Sequence, residues 1–165
     1  MSQRSLTAHI FGLGAWLAIC FTAAAIGAAA SVQAAPFYQA LVRPEWAPPA
    51  SIFGPVWTVL YALMAISAWW VWRSAPWATT RRPLAVFMLQ LGVNALWSWL
   101  FFAWHRGGLA LVDICVLVIL IVVTIALFWR IQRWAALMLL PYLAWVAFAT
   151  ALNAAIWRLN PGVLG

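Results

Sequence analysis

Five stretches of this 165-residue chain run for about 20 residues or more with almost no charge, at about 6–30, 51–73, 84–104, 108–129 and 134–157. A helix needs that length to cross roughly 30 Å of hydrocarbon at ~1.5 Å per residue. Lipid offers the backbone no hydrogen-bond partners, so such segments must satisfy their own N–H and C=O groups as helices. The expected fold is therefore an all-α integral membrane protein. It is a five-transmembrane-helix bundle in a single domain, residues 1–165, with one long extramembrane loop between helices 1 and 2. At 68% hydrophobic and 7% charged residues, a water-soluble domain is excluded, because its surface would be one apolar patch.

The net charge of +7 comes from nine arginines against Glu45 and Asp113. The arginines are scattered over span ends rather than gathered into a patch, which excludes a nucleic-acid surface. They report topology instead. The N-terminus and the second and fourth loops carry Arg4, Arg73, Arg81, Arg82, Arg130 and Arg133, while the opposite side carries only Arg43, Arg106 and Arg158. The excess of positive charge puts the N-terminus in the cytoplasm and the C-terminus outside, in what is expected to be a bacterial cell membrane. Arg4, the apolar run and Val32-Gln33-Ala34-Ala35 imitate a cleavable leader, but the run is too long for one and is read as the first span. Cys20 and Cys115 both fall within spans and are expected to be buried, inert thiols.

Three connections are short: Ser74–Pro83, His105–Gly107 and Arg130–Arg133. Neighbouring helices must then be antiparallel and in contact. The first loop, about Ser31 to Ala50, is long, and Pro36, Pro44, Pro48 and Pro49 are expected to keep it stiff and non-helical. It could be a lid or merely a spacer. Pro141, inside the fifth span, predicts a kink. The small pairs Ala8/Gly12 and Ala23/Gly27 permit close helix approach, within the chain by default or between two copies.

Fourteen residues are tryptophan. Trp69, Trp70, Trp72, Trp77, Trp104, Trp129 and Trp134 lie near span ends and fit the belt that indoles form at a membrane surface. Trp16, Trp57, Trp97, Trp99 and Trp145 lie inside spans, where an indole must pack against helices or line a pocket. Helical spacing groups some of them with amides. Trp57 and Tyr61 are four apart; Gln90, Asn94 and Trp97 are spaced four and three; Trp145, Ala149 and Asn153 are spaced four and four. Each set shares one helix face. With the helices antiparallel, all lie in the half of the bilayer beneath the long loop. Either the amides are glue between helices and the tryptophans core, or the set surrounds a pocket, with small Ala149 leaving room between aromatics. The pocket is the preferred reading, suited to a flat apolar molecule.

Asp113, the one acid inside the spans, is expected to pair with Arg106, His105 or an indole N–H. His9 and His105 have no ligand-like spacing, so no metal or haem ligation is expected. No phosphate loop, nucleophile elbow or carboxylate pair is present. No catalytic residues and no obligatory cofactor are expected.

RPEWAPP at 43–49, GPVWTVLYALM at 54–64, QLGVNALWSWLFF at 90–102, ALVD at 110–113 and PYLAWVAFATALNAAIWRLN at 141–160 together resemble the TspO/MBR family of translocator and tryptophan-rich sensory proteins. The resemblance covers about residues 37–160. It implies a five-helix bundle, usually a homodimer in bacteria, with a cavity beneath the first loop. That cavity binds porphyrins and, in many members, cholesterol and isoquinoline or benzodiazepine drugs. Carried onto matching positions, it includes Trp46, Trp57, Asn94, Trp97, Trp145, Ala149 and Leu152, to which helical spacing adds Tyr61. Trp57 and Trp145 match a pair implicated in light-dependent porphyrin breakdown. Ala154 and Ala155 stand where the eukaryotic cholesterol motif has an aromatic pair, and Ser51 where an aromatic is common, so sterol and lid contacts are expected to differ.

The expectation is thus a membrane receptor or sensor, embedded in lipid, for tetrapyrroles such as protoporphyrin IX. A porphyrin transporter would require alternating access, for which no inverted repeat is visible. A porphyrin-oxidising enzyme would turn over in the dark, and a purely structural bundle would bind no ligand saturably.

Overall fold

The computed structural model describes residues 6–165. Its helices are α1 (Leu6–Ala30), α2 (Ala34–Ala40), α3 (Phe53–Ser74), α4 (Trp77–Ser98), α5 (Gly107–Trp129), α6 (Arg133–Leu137), α7 (Leu140–Leu159) and α8 (Pro161–Leu164). A single 3-10 turn, Ala50–Ile52, leads into α3, and a π turn, Trp99–Ala103, closes α4. Among the described residues five spans are long and apolar enough to cross a membrane, and α6 with α7 makes up the fifth. Arg4, used to orient the chain, lies outside the described residues.

Proline position explains most departures from the expected elements. The first loop is not free of helix: Pro36 sits in the first turn of α2, where its missing N–H would have had no partner anyway. The fourth helix begins at Trp77, seven residues before the expected start, so Ser74–Pro83 is not a loop. Pro83 leaves only the Thr79 carbonyl without its helical donor, in a first turn where Thr79 is exposed. The fifth span is interrupted as expected. Its break falls at Met138–Leu139, just upstream of Pro141, which occupies the first turn of α7.

Around the bundle, α1 packs on α3 and α4, α4 on α5, and α5 on α6 and α7. At the end away from the first loop the circle closes, because α6 also packs on α3. Ala65, Ala68, Ala135 and Ala136 are fully buried there, and their lack of bulk lets the two backbones approach. The Ser67 hydroxyl donates to the Ala135 carbonyl at 2.7 Å across that contact. Phe87 is fully buried, stacked on Phe128 at 5.8 Å and edge-on to Trp16 at 5.9 Å. Trp16 is therefore core.

Two of the span-end tryptophans are not belt residues. Trp69 donates its indole N–H to the His9 carbonyl at 2.9 Å, and Trp72 lies over Gly12 so closely that a Cβ there would meet its ring at 2.3 Å. They fasten α1 to α3. Trp77, Trp104, Trp129 and Trp134 are exposed, as a belt requires. Cys20 is buried, but Cys115 is exposed on α5 and faces outward, contrary to expectation. The pairing expected for Asp113 is also absent. Its Oδ2 is buried with no hydrogen-bond partner among the described residues, while Arg106 is exposed at the helix cap.

Candidate ligand cavity

The circle that closes at one end stays open at the other. Close packing of α3 on the fifth span is made chiefly by α6, so α3 and α7 stand apart beneath the first loop. Between them lies a cavity of about 600 Å³. That is within the range of small-molecule sites.

Each aromatic of its wall has a local cause. Trp57 and Tyr61, one turn apart on α3, lie 5.7 Å between ring centres and face the gap. Trp145 enters from α7, held edge-on to Phe53 at 5.9 Å and against Phe148 at 5.6 Å. Trp97 stacks on Phe101 at 5.3 Å and donates its N–H to Asn153 Oδ1 at 3.0 Å. The π turn, closed by Trp104 N–H to Trp99 carbonyl at 2.8 Å, brings the consecutive Phe101 and Phe102 both to the wall. After it, His105 takes a left-handed conformation at φ 53° and α5 begins.

The amides are spent largely on the protein itself. Asn153 donates to the Gly107 carbonyl at 3.1 Å, and Asn94 donates to the Tyr61 oxygen at 3.0 Å. Gln90 does not reach the cavity. It accepts from Tyr142 at 2.7 Å and contacts Met64 Sδ at 3.9 Å, which makes it glue between helices. Ala149 and Leu152 also line the gap, and the small Ala149 leaves room beside Trp145.

The first connection is part of the wall: Ser31, Ala34, Ala35, Tyr38 and Ala50 all line the cavity, so it roofs the gap rather than merely spanning the bundle end. Several bonds hold the roof. The Tyr38 hydroxyl donates to the Pro48 carbonyl at 2.9 Å. Asn160, after α7, accepts from Val42 N–H at 2.9 Å and donates to the Val42 carbonyl at 2.8 Å. Phe37 stacks on His105 at 4.3 Å. Burial pushes the Tyr38 phenol above its usual pKa, an effect partly offset by the adjacent Arg43 guanidinium.

Seven of the eight expected site residues therefore meet at one gap: Trp57, Tyr61, Asn94, Trp97, Trp145, Ala149 and Leu152. Trp46 stands apart from this wall. It is half exposed on the loop, edge-on to Phe148 at 5.8 Å. Trp99 is peripheral and donates to the Ile26 carbonyl at 3.2 Å. Helix α1 supplies a wall that its sequence did not announce: Ala24, Ala25, Gly27 and Ala28, with Phe21. The signal was the small pair Ala23/Gly27, of which Gly27 brings α1 against Ser98, 3.2 Å from where a Cβ would stand. Among the described residues no cluster of His, Cys, Asp or Glu could hold a metal ion.

The sequence is similar to known proteins along most of its length. The family model for the TspO/MBR family matches residues 16–158. The tryptophan-rich protein TspO of Archaeoglobus fulgidus is 43% identical over 97% of this chain and 99% of its own length. Protein CrtK of Rhodobacter capsulatus is 38% identical over 87% of this chain and 89% of its own length. The human translocator protein is 37% identical over 78% of each chain. Five apolar spans, the matched segments in order and this similarity along the chain give one conclusion: it is an integral membrane protein belonging to the TspO/MBR family.

Proposed function

We propose that this protein is a membrane receptor or sensor whose cavity takes a flat apolar ligand of the tetrapyrrole class, such as protoporphyrin IX. The observation that carries this reading is the gap of about 600 Å³ walled by Trp57, Trp97 and Trp145 in the bilayer half beneath the roof. Broad indole faces favour stacking on a planar ring, and the few polar groups among them can orient its polar substituents. A wall made of rings, small aliphatics and amides suits recognition rather than turnover. The sensory and translocator names of the relatives agree with that role. With the arginine-rich end cytoplasmic, the cavity would face the outer half of a cell membrane.

The test is titration of purified protein with protoporphyrin IX in the dark, read by quenching of tryptophan fluorescence. Saturable binding that Trp57→Phe with Trp145→Phe weakens at least tenfold supports the assignment. Unchanged affinity in the double variant overturns the site, and product formed in the dark beyond one equivalent overturns the receptor reading in favour of an enzyme.

A further inference from the structure

Helix α5 is the most apolar of the five spans, and Asp113 is its one charged residue. Thr124 of the same helix turns its hydroxyl onto the Leu120 carbonyl at 2.7 Å, as a polar group in lipid must. Asp113 makes no hydrogen bond or ion pair among the described residues, and its Oδ2 is buried. It lies ~9 Å along the helix from Gly107, where α5 begins.

Helix geometry fixes what it faces. Gly107 and Gly108 lie against Trp157 of α7, where an added Cβ would stand 2.8 and 3.0 Å from the indole. At 3.6 residues per turn, Asp113 points about half a turn away from that side. It lies instead within roughly a sixth of a turn of Phe128, which stacks on Phe87 of α4 at 5.8 Å. Counting back along α5 from that pair, and forward along antiparallel α4, brings Asp113 level with the π turn Trp99–Ala103. Helix α5 packs on both α4 and that turn.

Two effects oppose a negative charge there. A lone carboxylate in hydrocarbon loses its water and gains no cation, a cost it escapes by taking up a proton. The π turn is also the C-terminal end of α4, where the helix dipole is negative and the last carbonyls lack helical donors. The Trp104 and Arg106 N–H groups close onto the Trp99 and Leu100 carbonyls. A protonated acid is a donor and suits such an end, whereas a carboxylate is one more acceptor. The dipole of α5 itself favours negative charge only within its first turn, and Asp113 is in the second.

No cation is placed to stand in for the proton. Arg106 is two turns above Asp113 and exposed, and the His105 ring is stacked on Phe37. Arg81 and Arg82 near the start of α4, and Arg130 and Arg133 before and at the start of α6, lie at the far end of the bundle. From α7 come Arg158, which is exposed, and Tyr142, whose phenol is spent on Gln90. Cys115 is exposed on the outer side of α5.

We infer that Asp113 is a proton-binding site within the membrane: it holds the neutral acid at the joint of α4 and α5, and losing the proton in alkali loosens that joint. The site is separate from the cavity, whose wall takes Ile114 and Leu117 from α5 but not Asp113. A leucine would fill the joint equally at every pH. An acid makes its strength depend on pH.

The experiment treats the purified protein in micelles with dicyclohexylcarbodiimide, an apolar reagent for protonated carboxyls, and locates the adduct by peptide mass. The acid gives its proton to a carbodiimide nitrogen and its oxygen adds to the central carbon, so the adduct carries the whole reagent. Asp113 is expected to be labelled at pH 6, with Glu45, exposed on the first loop, as the internal control. The rate should fall at least about tenfold by pH 9, because each pH unit above a group's midpoint removes most of its acid form. Melting temperatures of wild type and Asp113→Asn are compared over the same range. Wild type should lose about 3–5 °C relative to the variant as pH rises, the shift that a tenfold change in an equilibrium gives a chain of this size. Arg106→Gln should leave the labelling unchanged. An unlabelled Asp113 at pH 6 overturns the inference, as does equal labelling of Glu45, an equal rate at pH 9, or a melting difference that stays flat with pH. Labelling gained only in Arg106→Gln also overturns it, since the acid would then be an ion-paired carboxylate. Should Asp113→Asn fail to fold, the labelling of wild type and Arg106→Gln decides alone.

Discussion

Gln90 and Asn94 stand one turn apart on α4, and each holds a phenol, yet they belong to different machines. Gln90 accepts a hydrogen bond from the Tyr142 hydroxyl at 2.7 Å inside a core where both residues are buried. Asn94 donates an amide hydrogen bond to the Tyr61 oxygen at 3.0 Å on the cavity wall, and the Tyr61 hydrogen is left over. Below this level the bundle is closed, and Gln90 and Tyr142 are spent on each other. Above it the helices part and the bonds are made so as to leave donors free. A membrane interior gives no hydrophobic push between helices, so packing and interhelical bonds must hold the closed half together. That rigid half is what allows the other to remain open.

The sharpest way to break this comparison is to empty each half in turn. Phe87→Ala removes a fully buried ring packed between Trp16 and Phe128, and is expected to cost about 3 kcal/mol of stability, the usual loss for such a cavity. Trp57→Ala deletes a ring that already borders a void, so the loss should be less than half as large while protoporphyrin IX binding collapses. Denaturant unfolding in mixed micelles, paired with a binding titration, measures both. Equal stability losses would mean that the cavity is an ordinary part of the core.

A second contrast uses glycines. In α1, a methyl at Gly12 would stand 2.3 Å from the Trp72 ring, with the opposing helix behind it. Gly12→Ala should therefore destabilise by roughly 1–3 kcal/mol, the range of overpacking. Gly54 borders the cavity and has nothing within 4 Å of an added Cβ. Gly54→Ala should change stability by under about 0.5 kcal/mol. Melting temperatures in detergent decide the point, and a tolerant Gly12 would remove the proposed fastening of α1 to α3.

The sequence made the two halves unequally legible. The spans emerged within a few residues at most ends because apolar length is a direct demand of the bilayer. Trp57, Asn94, Trp97 and Trp145 emerged because large or polar groups are conspicuous at helical spacing inside a span, with Ala149 as the small residue among them, although the same spacing also picked out Gln90, which is glue. What stayed hidden carries little chemistry or depends on distant geometry. The α1 wall is alanine and glycine, indistinguishable from filler. Phe102 joins Phe101 on the wall only because a π turn alters the register after Ser98. Trp72 looks like a surface indole until Gly12 is placed beneath it. The grip of Asn160 on Val42 spans 118 positions, and no local pattern marks it.

The finest test returns to the two phenols. Tyr142→Phe takes a donor from Gln90, whose oxygen then has no other partner in the packed core. Interhelical hydrogen bonds within membranes contribute on average about 0.6 kcal/mol and at most about 1.7. A stability loss in that range is expected, with protoporphyrin IX affinity unchanged, because neither residue of the pair lines the cavity. Tyr61→Phe removes an equivalent hydroxyl one turn higher. Here the Asn94 amide still faces open space that water or ligand can fill, so stability should shift by under about 0.5 kcal/mol. Affinity should instead fall about threefold, since one of the few free donors on the wall is gone. Unfolding and binding measured on both variants give four values. The division into a closed and an open half requires the larger stability loss to follow Tyr142 and the larger affinity loss to follow Tyr61. A reversal of either would place the boundary between the halves somewhere other than the turn from Gln90 to Asn94.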